Sequence, residues 1–240
     1  INPKAKVYIN DINEGIINIY KAIQSNPKSF TQKLDEYSSV YLPKSKEERK
    51  EYYYELRSKH AFEFKDLSKV DEAALLYFLM KTGFNGIWQI NKNTNNRFGT
   101  PCGLLNQKDA VYDRKTVMEW HKVLQQATIT SQNFTECFKA VDKNAWVFMD
   151  PPYRGGFTTY GIQFDDSHQK CVLDSARLLT ANNNAEVWVT NRDIGDGFFD
   201  NLAGFETYKF DVTYTAGRRK KTEDGYEAKK AVEVLLISKP

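Results

Sequence analysis

Residues 145–153 read AWVFMDPPY: five apolar residues in a row, then Asp150, two prolines and Tyr153. A continuous apolar run of strand length that stops at a turn fits a central parallel strand covered on both faces. The carboxyl end of such a strand opens into the crevice where α/β sheets bind ligands. Pro151 and Pro152 fix φ and remove two N–H donors, but keep their carbonyls as acceptors. Asp150 adds a carboxylate, and Tyr153 adds a flat face. A rigid group of acceptors beside a stacking surface matches an exocyclic amine on a planar base. The plainer alternative is a Pro-Pro turn that only ends a strand.

Downstream, a helix is expected over about 166–180, then EVWVT (186–190) and Asn191. Strand, turn, helix and strand make the βαβ pattern of a parallel sheet. FETYKFDVTYT (205–215) and AVEVLLIS (231–238) flank the polar GRRKKTEDGYEAKK and read as an antiparallel hairpin at the sheet edge. Upstream, AKVYIN (5–10) reads as a strand that stops at Asp11, and a helix runs from Ile12 to Asn26-Pro27. Residues 28–66 read as surface helices around a loop near Pro43, with KSKEERKEYYYELRSK as a solvated face. Ser68 to Asp71 fits a capping box before AALLYFLMK (73–81), a helix apolar on all sides and therefore buried. Residues 82–103 are dense in Gly and Asn, with Trp88, Arg97 and Phe98 interleaved, which is loop or hairpin chemistry rather than a core element. A helix at about 114–127 follows.

Composition bounds the reading. The 240 residues allow one large domain or a core with an insertion, and 41% apolar with 27% charged residues excludes wholesale disorder. A net charge of +3 does not mark a nucleic-acid binder by itself. The 14 Tyr, 15 Phe and 4 Trp could serve base stacking, but core packing is the default use of any one ring. Cys102, Cys137 and Cys171 form no CxxC pair, so a zinc ribbon is not expected and a reducing cytoplasm is. His60, His121 and His168 show no metal spacing and read as surface or capping residues. No run approaches the ~18 apolar residues of a membrane span.

With these residues in place, the chain resembles the Dam-type (D12 class) DNA N6-adenine methyltransferases. DPPY matches their motif IV, and KVYINDINEGIINIYKAI resembles their strand–acidic–helix segment. LMKTGFNGIWQIN, with Phe98, Pro101 and Gly103, resembles the start of their target-recognition region. TYTAGRRKK and AVEVLLISKP are similar to their terminal hairpin. The resemblance implies a Rossmann-like α/β core for S-adenosylmethionine, formed by residues 1–27 and 131–240. A mainly helical target-recognition insertion would occupy 28–130.

It also implies roles. Asp150, Pro151, Pro152 and Tyr153 would be catalytic. Asp11 would hold the cofactor ribose, Asn133 and Phe134 would contact its adenine, and Asp150 would border it; no metal is implied. For Asp11 the alternative is a helix N-cap. Asn85, Gly86, Arg97, Phe98, Arg218, Arg219, Lys220 and Lys221 are the candidates for contacting double-stranded DNA. Gln89 stands where the family usually carries a basic residue. A monomeric cytoplasmic protein of bacterial or phage origin is expected, with a DNA-binding remnant, or a cytosine-N4 or RNA methyltransferase, as alternatives. The family's Phe-x-Gly-x-Gly cofactor loop does not occur upstream of Asp11, so an N-terminally shortened piece is expected. In the family one strand lies between those represented here by 5–10 and 145–149, so these two are expected parallel but not paired, about twice the ~4.8 Å strand spacing apart.

Overall fold

The computed structural model describes residues 5–156, 164–214, 220–222, 225–227 and 229–240, the side chains of 220–227 and 229 excepted. The fold is mixed α/β, and the described residues divide into two units, one ending at Phe134 and the other beginning at Thr135.

The first unit opens with β1 (Val7–Asn10) and α1 (Glu14–Ser25). Asn13 caps α1 by accepting from the amides of Gly15 and Ile16 at 3.0 and 3.2 Å. Pro27 starts α2 (Pro27–Tyr41), where its missing N–H costs nothing. Next come α3 (Lys46–Phe62) and α4 (Lys69–Thr82). Helix α4 is the centre of this unit: Ala73, Ala74, Leu75, Leu76, Phe78 and Leu79 are all buried. Tyr37, Tyr41 and Tyr52 surround the Phe78 ring at 5.6, 5.5 and 6.4 Å between centroids. These aromatics are therefore core, and truncating such a ring costs about 3–5 kcal/mol. The complete two-way capping box sits at Ser45 and Glu48. At α4 Ser68 accepts from the Asp71 amide at 3.1 Å, but Asp71, shorter than the Glu or Gln of a full box, does not complete it.

Strands β2 (Ile90–Asn91) and β3 (Arg97–Phe98) pair as the expected irregular hairpin. Its stem belongs to the core, contrary to the sequence reading. The Tyr53 hydroxyl and the Arg57 guanidinium donate to the Thr100 carbonyl, and Phe98 is completely buried. Helix α5 (Arg114–Leu124) leads into β4 (Ala127–Thr130), a strand the sequence reading had assigned partly to the helix. It pairs parallel with β1, Val7 opposite Ala127 and Asn10 opposite Thr130.

After the short α6 (Phe134–Cys137), the second unit holds β5 (Trp146–Met149), α7 (Asp166–Asn183), β6 (Glu186–Asp193), β7 (Glu206–Tyr214), the short strands β8 (Lys220–Thr222) and β9 (Gly225–Glu227), and β10 (Lys229–Ser238). One sheet has the order β5-β6-β10-β7, with β5 parallel to β6 and β10 antiparallel to both neighbours. The terminal hairpin is thus antiparallel with β7 at the edge, as expected. Helix α7 buries Val172, Leu173 and Ala176 and packs on β6 and β10. The apolar run of β5 is not covered on both faces: Trp146 and Phe148 are 60% and 51% exposed. Alternation places them on the face opposite buried Met149. Strand β1 belongs to the first unit and β5 to the second.

His60 corrects its sequence reading, because it is buried in α3 rather than on the surface. Its Nδ1 has no hydrogen-bond partner among the described residues. Burial, with Arg97 beside it, pushes its pKa down to about 3. The unfolded chain therefore binds a proton below about pH 6.5 that the folded chain refuses, so stability falls as pH drops from there. Between pH 6.5 and 5 the loss should be about 2 kcal/mol. Denaturant titrations at both pH values should show this slope in the wild type and a clearly flatter one in His60→Gln.

Candidate active site

The ladder of β5 on β6 runs from Trp146–Glu186 to Met149–Val189. One residue beyond the last pair, Asp150 stands beside Thr190, whose hydroxyl donates to Asp150 Oδ1 at 2.7 Å. The Met149 carbonyl is a second acceptor, at 3.4 Å. Side chains alternate along a strand, so the next residue, Asn191, points into the core and is 1% exposed.

Asn191 starts a closed ring of hydrogen bonds. Its Oδ1 accepts from the Arg154 amide at 2.9 Å, and its Nδ2 donates to Gln169 Oε1 at 2.9 Å. Gln169, in the first turn of α7, donates through Nε2 to the Pro152 carbonyl at 2.7 Å. Both ends of the segment 152–154 are therefore held from one side. Among the described residues the Pro151 carbonyl accepts no hydrogen bond. Asp150 itself is exposed, and Tyr153 is half-buried. Burial raises the Tyr153 phenol; the Thr190 hydrogen bond opposes that shift and the Asp150 charge adds to it.

Arg154 anchors the far side of the loop. Its guanidinium forks between Asp166 (2.8 and 2.9 Å) and Asp196 (2.8 Å at both oxygens), and lies 3.9 Å over the Phe198 ring. Those hydrogen bonds lower both carboxyl pKa values, that of Asp196 to about 2. Gly155 then turns the chain with φ +61°, and a Cβ there would lie 2.8 Å from Ile194 Cγ2. The space and the left-handed backbone both call for glycine.

In the first unit, Asp11 follows β1. Asn10 ties the end of β1 to the continuation of β4: its Oδ1 accepts from Thr130 Oγ1 and the Gln132 amide, and its Nδ2 donates to the Gln132 carbonyl. This brings Asp11 and Asn133–Phe134 to the same end of the β1–β4 pair. Asp11 is exposed and does not cap the helix; its Oδ1 accepts from the Asn13 amide at 2.7 Å in a local turn, and Asn13 is the cap. An exposed carboxylate at the carboxyl end of a parallel pair suits ribose hydroxyls.

The DNA candidates separate. Asn85 (φ +52°) and Gly86 (φ +63°) form an exposed turn with Phe84 and Ile87. Arg97 pairs with Glu72, donates to the His60 carbonyl and stacks 3.7 Å over Phe64. Arg97 and Phe98 are thus both engaged within the unit. Lys220 and Lys221 lie in β8; their side chains, and Arg218 and Arg219 altogether, lie outside the described residues. Among the described residues no group of three His, Cys, Asp or Glu could hold a metal, and no helix is long and apolar enough to cross a membrane. The reading from sequence missed Arg154, Gln169, Thr190 and Asn191. The register that sets Thr190 beside Asp150 was the available signal.

Replacing Arg154 tests the anchor. Both carboxylates are about half exposed, so water compensates much of a lost pair. Arg154→Met should cost about 1–3 kcal/mol by thermal denaturation, and Arg154→Lys should not restore it, since an ammonium cannot fork to two carboxylates. With the carboxyl pKa values depressed, the stabilisation is present above about pH 4 and is lost as pH falls through about 2.

The sequence matches a known family over residues 2–216. A type II methyltransferase of Methanocaldococcus jannaschii, M.MjaIII, is 29% identical over 170 residues, 68% of this chain and 58% of its own length. The DNA adenine methylase of Vibrio cholerae is 26% identical over 191 residues, 76% of this chain and 64% of its own. The retron Ec67 DNA adenine methylase of Escherichia coli is 25% identical over 233 residues, 95% of this chain and 74% of its own. The chain thus spans less than two thirds of the first two relatives. The match over 2–216 takes in both units and the acceptor loop, and this chain belongs to the D12 class N6 adenine-specific DNA methyltransferase family.

Proposed function

We propose that the protein is a site-specific DNA methyltransferase acting on N6 of adenine in duplex DNA, with S-adenosylmethionine as donor. The observation that carries this reading is the loop at 150–153. An exposed carboxylate and the Pro151 carbonyl, which accepts no hydrogen bond among the described residues, stand beside a half-buried phenol ring. A base within duplex DNA is stacked, so it must be flipped out, at a cost of a few kcal/mol. Asp150 and the Pro151 carbonyl then accept hydrogen bonds from the amine. This draws the nitrogen lone pair out of ring conjugation and matches the positive charge that develops on nitrogen. Tyr153 stacks on the base. The donor supplies a methyl group activated by a sulfonium centre, and Asp11, Asn133, Phe134 and Asp150 are the residues assigned to hold it.

A Rossmann-like core is assigned to 1–27 and 131–240, with β4 joined to it because β4 pairs with β1. The helical residues between are assigned to target recognition. Asn85 and Gly86, with exposed Phe84 and Ile87, are the hairpin's DNA-facing residues, and Lys220, Lys221, Arg218 and Arg219 supply phosphate contacts. Arg97 and Phe98 support that hairpin from within.

In the natural full-length protein, Asp150→Ala should slow methyl transfer to duplex DNA by about a hundredfold or more while DNA affinity is kept. Asp11→Ala should weaken donor binding about tenfold by calorimetry. Transfer to cytosine or RNA in preference to adenine in DNA would contradict the assigned substrate.

A further inference from the structure

We propose that Thr190 is a positioning residue for the transfer: it holds one oxygen of Asp150 so that the other faces the substrate amine. Gln169 completes the arrangement by taking the Pro152 carbonyl, while that of Pro151 accepts no hydrogen bond among the described residues. The inference rests on the function proposed above and assigns how its acceptors are aimed.

Three observations carry it. The Thr190 hydroxyl has one proton, and the Asp150 oxygen at 2.7 Å is much closer to it than the Met149 carbonyl at 3.4 Å; the Tyr153 phenol also neighbours both Thr190 and Asp150. The hydroxyl is fixed by its position: β5 pairs with β6 through Met149–Val189, so Asp150 and Thr190 meet as the ladder ends. A β-branched residue is also restricted at χ1, which holds the hydroxyl oxygen near one place. The other acceptor is aimed in the same way. Gln169 is 3% exposed and fastened to buried Asn191, so its Nε2 reaches the Pro152 carbonyl from a fixed place. A strand-forming threonine with no further role would not need its hydroxyl turned to the one carboxylate in the loop.

Reaction geometry decides the consequence. An unsupported carboxylate rotates about its Cβ–Cγ bond and offers the amine a range of directions. Supported at Oδ1, it offers Oδ2 in one. Losing that hydrogen bond to a charged group should slow transfer about ten- to hundredfold without altering binding.

The test compares Thr190→Val, Thr190→Ser and Asp150→Ala with wild type in the natural full-length protein, using a methyl-acceptor DNA duplex. Single-turnover methyl transfer, DNA affinity by fluorescence anisotropy, donor affinity by calorimetry and the melting temperature are measured for each. Valine keeps the shape and should give the slow rate with both affinities within about twofold of wild type. Serine restores the donor and should return most of the rate. The proposal is overturned if the valine variant transfers at the wild-type rate, if its loss lies wholly in an affinity, or if serine is as slow as valine. A collapsed melting transition in the valine variant would make the role structural and overturn it as well. A wild type that does not methylate adenine, or an Asp150→Ala variant as fast as wild type, defeats the parent reading and this one with it. A slow Asp150→Ala beside a fast Thr190→Val defeats this one alone.

Discussion

Two adjacent prolines leave residues 150–153 with few backbone donors, so the shape of the loop must be imposed by side chains from elsewhere. The end of β6 contributes Thr190 and Asn191, the first turn of α7 contributes Gln169 and Asp166, and the turn after β6 contributes Asp196. Each makes a short, directed contact with the loop or with Arg154 just behind it. Buried polar groups of this kind are costly when left unpaired, and here each one named meets a partner. The loop is therefore rigid because the secondary elements around it are, not because of its own hydrogen bonds.

That arrangement depends on strand register. Thr190 and Asn191 are neighbours that point to opposite faces of β6, one toward the exposed Asp150 and one into the core against Gln169. A slip of one residue along β5 would exchange them, leaving the carboxylate without its donor and a threonine where the amide ring closes. The parallel ladder of Trp146–Glu186 through Met149–Val189 is held from one side by α7 and from the next strand by the long antiparallel pairing of β6 with β10. The opposite face keeps Trp146, Phe148, Tyr208 and Phe210 exposed.

Local periodicity made most elements legible. Ile12, Ile16, Ile19 and Ile23 announced α1, the all-apolar 73–81 announced a buried α4, and DPPY marked the end of β5. What remained hidden depends on contacts distant in sequence. Strand β4 is only ATIT after a helix, and its strand character comes from pairing with β1 far upstream. Arg97 and Phe98 looked like hairpin residues free to reach outward, but Glu72 and the core on α3 and α4 claim them. Gln169 and Asn191 are polar residues at a helix start and a strand end, positions where polar residues are ordinarily solvated. Only the folded register shows that both are buried.

The directions of the hydrogen bonds also bear on what the loop can serve. Thr190, Gln169, the Arg154 amide and the Arg192 guanidinium are all donors, and all are spent on the loop or on the residues that hold it. What Asp150 and Pro151 themselves offer is acceptor: an exposed carboxylate, and a carbonyl that accepts no hydrogen bond among the described residues. A site for a developing oxyanion or a phosphate needs the reverse, donors aimed at the ligand. Acceptors fixed in place and set beside an aromatic ring are instead complementary to N–H groups on a flat ring system. This polarity, set by donors buried behind the loop, is what the proposed amine-activating role asks of residues 150–153.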